Sequence, residues 1–360
     1  MATPPPADPT GQVLTRVDGT VGLVTLNRPT VLNALNHTMV AVLHRVLTAW
    51  AHDPAITAVG LSGAGDRGLC AGGDVVAIYH SALGDGSAAR RFWHDEYRLN
   101  AFISRYPKPY VALMDGIVMG GGVGLSAHAN TRVVTDRTRV AMPEVRIGLI
   151  PDVGGTYLLA RAPGRTGLHA GLTGASFTGA DAIALGFADH YVPHDALADF
   201  TAAIVSDGPA TALAAHAEKP PGSELARHPW IDECYAGETV TQIVSALRAH
   251  DDAAAHEAAR LIAGHSPTAV AVTLEAIRRA AHLDSLDDAL AMEYRTSTTA
   301  LRSHDLREGI RAQIIDKDRA PQWAPAETAA VSTAAVLAYF EDHNVAGDAV
   351  KPAAAHHDYG

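Results

Sequence analysis

Cysteine is scarce in this chain of 360 residues, which contains only Cys70 and Cys234. Two cysteines exclude a disulfide-stapled framework and fit a reducing compartment. The start of the chain, "MATPPPADPTG", lacks the basic and apolar segments of a signal peptide. No apolar run approaches the length of about 18 residues that a membrane-spanning helix needs. We therefore expect a cytoplasmic protein.

Basic residues are also few. The chain has 28 Lys and Arg and 39 Asp and Glu, which gives a net charge of −11. A general binder of nucleic acid or of membrane surfaces would show a basic patch or stripe, so neither partner is expected. A local basic pocket for a phosphorylated ligand is compatible with this charge. The 19 histidines are scattered without ligand spacing such as H-E-x-x-H, so the sequence predicts no metal site.

The order of the hydrophobic patterns predicts an α/β fold with a mostly helical C-terminal part. Alanine-rich helical stretches dominate after about residue 195, and we expect them to pack on the first half. The predicted elements of the first half are a hairpin at 13–29, an amphipathic helix at 37–53, and strands at 56–65, 110–122 and 131–136. The predicted organisation is a disordered lead at 1–12, a core at 13–200, a helical region at 201–342 and a polar tail at 343–360.

Two glycine-rich corners follow predicted strands: "CAGGD" at 70–74 and "MGGGVG" at 119–124. Glycine lets the backbone approach a ligand closely, and the second corner opens a helix that starts near residue 121. If both corners face one pocket, one backbone N–H from each forms an oxyanion hole for an acyl carbonyl. Tight turns for close helix–sheet packing are the plainer alternative. Nucleotide binding is a further alternative, but the third glycine of G-x-G-x-x-G is misplaced.

Two carboxylates, Glu144 and Asp152, lie eight residues apart in the apolar stretch "AMPEVRIGLIPDVGG". Buried carboxylates are costly, so these residues are paired, exposed or functional. The alternative for Asp152 is a helix N-cap, and the alternative for Glu144 is a surface position.

Several segments, in this order, resemble the enoyl-CoA hydratase/isomerase (crotonase) superfamily over roughly residues 13–200. The segments are "LNRPTVLNALN", "SGAGDRGLCAGGD", "KPYVALMDGIVMGGGVGLSAH" and "PEVRIGLIPDVGGTYLLAR". The resemblance implies a ββα spiral core that binds acyl-CoA thioesters, with Gly73 and Gly121 donating the oxyanion N–H groups. It also implies a homo-oligomer, either a trimer or a hexamer.

The details of the resemblance point to one branch of the superfamily. Hydratases carry a catalytic glutamate three residues after the middle glycine of the triplet, and this chain has Gly124 there. The second hydratase glutamate matches Glu144, and Asp152 stands where hydratases have glycine. In having a glycine at 124 and an aspartate at 152, the chain is similar to the 3-hydroxyisobutyryl-CoA hydrolases, which act in valine breakdown. The segments "RFWHDEYRLN" (91–100) and "MEYRTSTTALRSHDLREGIRAQIIDKDRAPQW" (292–323) also resemble that branch.

By this resemblance Glu144 and Asp152 are the catalytic residues and Glu96 is a further contact in the acyl pocket, where Gly121, Glu144 and Asp152 also bind substrate. Glu144 either attacks the thioester to give a mixed anhydride or acts as general base on water. The implied reaction needs no cofactor, because CoA is part of the substrate. Arg28 is a candidate for contacting the CoA phosphates. A hydratase or isomerase using Glu144 alone, and a non-catalytic acyl-CoA-binding protein, are the alternative functions.

Overall fold

The computed structural model describes residues 8–341. Residues 1–7 of the predicted lead and the predicted tail at 343–360 lie outside the described residues. Within 8–341, the side chain of Asp8 accepts hydrogen bonds from the backbone N–H groups of Thr10 and Val13, both at 2.8 Å. No helix in this range is both long enough and apolar enough to cross a membrane.

The strands of the described residues belong to two sheets. The larger sheet has six strands in the order β1-β2-β3-β5-β7-β10, and the smaller has four in the order β4-β6-β8-β9. Antiparallel pairing occurs between β1 and β2 and between β8 and β9, and the other neighbours are parallel. The strands are β1 (Val13–Asp18), β2 (Val21–Leu26), β3 (Ala58–Gly63), β4 (Gly68–Cys70), β5 (Tyr110–Met114), β6 (Ile117–Met119), β7 (Thr131–Val134), β8 (Arg139–Ala141), β9 (Phe177–Thr178) and β10 (His190–Tyr191).

Consecutive strands alternate between the two sheets. Each of the pairs β3–β4, β5–β6 and β7–β8 gives its first strand to the large sheet and its second to the small sheet. Helices follow β4 and β6 before the chain returns to the large sheet. This repeated ββα path is the spiral that the resemblance implies, and the α/β class is confirmed.

Helices make up most of the chain that follows β10. Beyond Tyr191, the described residues form helices and no further strand, which confirms the mostly helical C-terminal part. The α-helices are α1 (His37–His52), α2 (Val75–Leu83), α3 (Ser87–Ser104), α4 (Gly121–Ser126), α5 (Gly155–Arg161), α6 (Thr166–Thr173), α7 (Gly179–Ala184), α8 (Leu197–Asp207), α9 (Pro209–His216), α10 (Trp230–Cys234), α11 (Val240–Ala249), α12 (Ala253–Gly264), α13 (Pro267–Ala280), α14 (Leu286–Ala300), α15 (His304–Ile310) and α16 (Thr333–Leu337).

The local predictions hold with one difference. The hairpin, the helix at 37–53 and the strands at 56–65 and 131–136 are present as β1–β2, α1, β3 and β7. The predicted single strand at 110–122 is instead two strands, β5 and β6. Gly116 separates them with a φ of 64°, a conformation that glycine adopts without steric cost. The chain turns at this glycine and passes from the large sheet to the small one.

Helix α3 is the element on which the two halves of the chain meet. It buries Trp93 and Tyr97 completely and packs against α1 and α4 from the first half. On another side it packs against α14, which belongs to the helical C-terminal part. The same C-terminal part contacts α2 through α15. Residues far apart in sequence therefore surround one region of the core.

Candidate active site

Five of the six residues that the sequence singled out for a site line one cavity of about 360 Å³. They are Gly73, Glu96, Gly121, Glu144 and Asp152. The rest of the wall is largely apolar and includes Phe92, Trp93, Ile147 and Leu149. An apolar cavity with a few convergent polar groups is the usual form of a small-molecule site.

The small sheet explains why three of these residues meet. β4, β6 and β8 are adjacent and parallel, so their carboxyl ends lie at the same edge of the sheet. Gly73 follows β4, Gly121 begins the helix after β6, and Glu144 begins a 3₁₀ turn (Glu144–Ile147) after β8. Because these short strands are parallel, the two glycine corners and the carboxyl group of Glu144 lie together at one edge of the small sheet.

Each glycine of the 120–122 triplet has a steric reason to be glycine. Gly120 has a φ of 46°, and a Cβ there would lie 3.1 Å from Glu144 Oε1. A Cβ on Gly121 would lie 2.5 Å from Glu96 Oε1, and one on Gly122 would collide with the carbonyl oxygen of Cys70. As the first residue of α4, Gly121 has an N–H without an intrahelical acceptor. The corner is therefore a bare stretch of backbone between two carboxyl groups.

Gly124, one turn into α4, has no space for any side chain. A Cβ at this position would lie 2.7 Å from Asn100 Nδ2 and 2.8 Å from Val153 Cβ. Asn100 is fully buried, and neither oxygen nor nitrogen of its amide has a hydrogen-bond partner among the described residues. The volume that a glutamate at 124 would need is thus occupied by Asn100 and Val153.

Glu144 and Glu96 are buried carboxyl groups with oxygen atoms left free. Glu144 is 7% exposed and Glu96 is 2% exposed, so the alternative that Glu144 is a surface residue is wrong. Glu144 Oε2 and Glu96 Oε1 have no hydrogen-bond partner within residues 8–341. Burial, reinforced by the charge of Asp152, raises the pKa of both groups well above the usual range. Such groups hold a proton readily and have an oxygen available to a ligand.

Asp152 lies in the loop between the 3₁₀ turn and α5, and it is 5% exposed. Its Oδ2 accepts a hydrogen bond of 2.7 Å from the hydroxyl of Tyr97 on α3. Burial raises the pKa of Asp152 to about 6, and the Tyr97 hydrogen bond acts in the opposite direction. Asp152 is therefore largely ionised at neutral pH, and its charge is one cause of the raised pKa of Glu144.

Helix α5 is capped by a residue from the C-terminal part of the chain. Its N-cap is Gly154, so the alternative that Asp152 caps this helix is wrong. Glu293 of α14 accepts hydrogen bonds from the N–H groups of Gly154 (2.6 Å) and Thr156 (2.9 Å), and from the Thr156 hydroxyl. Burial raises the pKa of Glu293 to about 8, although the bonds from Thr156 and Gly154 oppose this rise. This cap fixes the turn that carries Asp152.

Sequence reasoning assigned no role to Tyr97, Ser297 or Glu293, although all three lie in segments that carried the resemblance. Only their folded positions bring them to the site, because they lie on α3 and α14. Arg28 does not line the cavity. Its guanidinium donates to the carbonyl oxygen of Ala34 (2.6 Å) and pairs with Asp74 (3.2 Å).

Metal-ligating side chains do not cluster in the described part of the chain. Within residues 8–341, no group of three or more His, Cys, Asp and Glu side chains is arranged to hold a metal ion. Both cysteines are buried and unpaired.

The chain is similar to known proteins both in sequence and in structure. The family model described as enoyl-CoA hydratase/isomerase matches residues 21–340. The 3-hydroxyisobutyryl-CoA hydrolase of Danio rerio mitochondria is 40% identical, and the match covers 89% of this chain and 87% of that protein.

Two solved structures share the fold over nearly the whole chain. One, described as a carnitinyl-CoA dehydratase from Mycobacterium thermoresistibile, is 63% identical with a TM-score of 0.91, and the match covers 93% of this chain and 98% of that one. Another, described as an enoyl-CoA hydratase from Rhodobacter sphaeroides, is 40% identical with a TM-score of 0.89, covering 95% and 100%. The chain therefore belongs to the enoyl-CoA hydratase/isomerase family.

Proposed function

We propose that this protein is a thioester hydrolase that cleaves 3-hydroxyisobutyryl-CoA, or a similar short 3-hydroxyacyl-CoA, to the free acid and CoA. The observation that carries the proposal is the packing around Gly124. In hydratases this position bears a catalytic glutamate, and here Asn100 and Val153 fill its space. The hydrolase name of the Danio rerio relative supports the same proposal. By the resemblance, this reaction is a step of valine breakdown.

The loss of one carboxylate changes which chemistry the site favours. Water addition to a double bond uses one water held between two carboxylates, one taking and one giving a proton. Thioester hydrolysis instead needs two donors for the carbonyl oxygen and one carboxylate near the carbonyl carbon. Gly73, Gly121 and Glu144 line the same cavity. The two glycines supply the donors, and Glu144 supplies the carboxylate that hydrolysis needs.

In the proposed reaction the N–H groups of Gly73 and Gly121 bind the thioester oxygen as it gains negative charge. Each such donor lowers the barrier by roughly 3–4 kcal/mol. Glu144 then acts by one of two routes. Its oxygen attacks the carbonyl carbon, CoA leaves as thiolate and water cleaves the resulting anhydride, or Glu144 takes a proton from a water that attacks directly. Glu144 Oε2, which has no partner within the described residues, is the candidate reacting oxygen.

Asp152 is proposed to recognise the substrate's 3-hydroxyl. It is ionised near neutral pH and lines the cavity, so it is the acceptor suited to a hydroxyl donor. Glu96, whose Oε1 lies beside Gly121, is a further polar contact. A site built to bind a hydroxyl rejects the analogue that lacks it by up to about 10⁴-fold, because the buried polar group is then left unpaired.

A panel of acyl-CoA substrates tests the proposal. Free CoA thiol is measured with 3-hydroxyisobutyryl-CoA and with isobutyryl-CoA, and loss of enoyl absorbance is measured with a 2-enoyl-CoA. We expect rapid thiol release from the hydroxylated substrate alone, and Asp152→Asn should erase most of this preference. Loss of enoyl absorbance without thiol release would assign a hydratase. Tight binding with neither reaction would assign a non-catalytic acyl-CoA-binding protein.

Two remaining expectations are proposals that the same preparation can test. The reaction uses water as its co-reactant, so thiol release should persist after exhaustive dialysis against EDTA. The trimer or hexamer implied by the resemblance gives a mass of three or six times 37.6 kDa in light scattering. A monomeric mass in an active preparation would contradict the oligomer.

A further inference from the structure

Tyr97 connects the helical C-terminal part of the chain to the carboxylate of Asp152. The tyrosine is completely buried on α3, and its hydroxyl lies 2.7 Å from Asp152 Oδ2 and 3.2 Å from Ser297 Oγ. A tyrosine hydroxyl has one proton, and an ionised carboxylate can only accept. Tyr97 therefore donates to Asp152, and the Ser297 hydroxyl of α14 donates to Tyr97. The result is a directed chain of hydrogen bonds from α14 to the site.

The surroundings of Asp152 make this donor necessary. The other acidic side chains facing the region are Glu96 from α3, Glu144 from the 3₁₀ turn and Glu293 from α14, and the charge of Asp152 raises the pKa of each. No arginine or lysine side chain forms an ion pair with Asp152 among the pairs found within residues 8–341. A buried carboxylate without a cation depends on hydrogen bonds to stay ionised.

We propose that Tyr97, held in place by Ser297, is the positioning residue that keeps Asp152 ionised and turned so that Oδ1 accepts the substrate's 3-hydroxyl. This inference rests on the proposed function, since it concerns the hydroxyl of the acyl group. Tyr97 does not line the cavity and acts through Asp152. The tyrosine ring is itself fixed by Tyr294 of α14, whose ring lies edge-on at 6.3 Å.

The inference gives the C-terminal helical part a specific role. Ser297 and Glu293 are one turn apart on α14. Ser297 orients the donor to Asp152, and Glu293 caps the turn that carries Asp152. Both groups lie in the segment 292–323, which resembles the hydrolase branch. The helix thus supports the one carboxylate that distinguishes this site from that of a hydratase.

The test measures binding rather than turnover. Tyr97→Phe removes only the hydroxyl, and Tyr106→Phe is the matched control because Tyr106 donates one buried hydrogen bond to the Leu47 carbonyl (2.9 Å), away from the cavity. Calorimetry between pH 5 and pH 8 compares two ketone analogues of acyl-CoA in which a methylene replaces sulphur. One analogue carries the 3-hydroxyl and the other lacks it.

We expect the wild-type protein to prefer the hydroxylated analogue and to lose this preference as Asp152 is protonated at low pH. In Tyr97→Phe the preference should fall about tenfold, and its pH midpoint should rise by about one unit, because a hydrogen bond that favoured the charged form is gone. Tyr106→Phe should keep both values. Ser297→Ala should change the preference and its pH midpoint in the same directions as Tyr97→Phe, but by less. If Tyr97→Phe does not fold, unchanged values in Ser297→Ala would overturn the inference.

The outcomes separate this inference from the proposed function. Absence of a hydroxyl preference in the wild-type protein, or an unchanged preference and midpoint in Tyr97→Phe, would overturn the role of Tyr97. Failure to release CoA from any thioester would overturn hydrolysis, while the effect of Tyr97 on binding would still be measured with the ketone analogues.

Discussion

At the scale of single residues, Glu144 combines deep burial with an oxygen that has no partner among the described residues. Replacing it with glutamine keeps the shape of the side chain and removes both its nucleophilic and its basic oxygen. We expect Glu144→Gln to lower kcat for CoA release by at least about 10²–10⁴-fold, the usual effect of losing one acid–base group. Acyl-CoA binding, measured by calorimetry, should persist. Near-normal turnover would move the catalytic role to another residue.

Gly124 is the residue whose replacement tests why this chain is not a hydratase. Gly124→Glu restores the hydratase residue, but its Cβ would lie 2.7–2.8 Å from Asn100 and Val153. We expect a loss of stability of about 1–3 kcal/mol or more from overpacking, and no gain of enoyl-CoA hydration. Urea unfolding and the loss of enoyl absorbance measure the two effects.

The control for this prediction is Gly264→Glu. Gly264 ends α12, and a Cβ there would have no atom within 4 Å. This variant adds the same charge and bulk at an open position, so its stability should stay close to that of the wild type. A Gly124→Glu protein that is equally stable and hydrates enoyl-CoA would refute the steric argument.

At the scale of structural elements, the N-terminus of α5 depends on a side chain from α14. Gly154 and Thr156 donate to different oxygens of Glu293, and Glu293→Gln replaces one of these two acceptors by an NH₂ group, which cannot accept. We expect a loss of about 1–3 kcal/mol in the free energy of unfolding. The turn carrying Asp152 should shift as well, which lowers kcat/KM by up to about a hundredfold.

Chemical denaturation and thiol release measure these two consequences of Glu293→Gln. The matched control is Glu257→Gln, since Glu257 forms an exposed pair with Arg260 on α12. Exposed pairs contribute little to stability, so this control should behave as the wild type does. If Glu293→Gln is as stable and active as the control, then Glu293 does not fix the turn.

At the scale of the whole molecule, the buried carboxyl groups of the site contribute to how the free energy of unfolding depends on pH. The pKa values of Glu96, Glu144, Asp152 and Glu293 are all raised in the folded protein. At these four positions the folded state binds more protons than the unfolded chain, so their contribution to the free energy of unfolding falls as pH rises. Each such proton contributes a slope of up to about 1.4 kcal/mol per pH unit between the unfolded and folded pKa values.

Glu144→Gln removes one of these protons and should flatten the dependence. We expect its free energy of unfolding to match the wild type near pH 4.5, where the glutamate is half protonated even when unfolded, and to exceed it at pH 7.5. Urea titrations at the two pH values measure this difference. An identical slope in the two proteins would show that Glu144 is not protonated in the folded state. The site is thus expected to lower stability in exchange for reactivity, as active sites often do.

The sequence itself determined the fold class, and it singled out the two glycine corners and the pair Glu144 and Asp152 as a candidate site. These features are visible in local patterns. A glycine directly after a strand permits close approach of the backbone, and a carboxylate in an apolar stretch is costly to bury unless it is paired or functional. Strand and helix periods also located most elements. The exception was 110–122, where the pair Asp115 and Gly116, a turn signal, interrupts the apolar residues and the chain changes sheets.

Only the tertiary structure decided which distant groups reach the site. Tyr97 and Glu96 are neighbours on α3, yet Tyr97 bonds to Asp152 while Glu96 lines the cavity beside Gly121. Ser297 and Glu293 come from α14, and the space beside Gly124 is closed by Asn100 of α3. Contacts of this kind depend on how helices pack across the spiral, and no local period in the sequence encodes that packing.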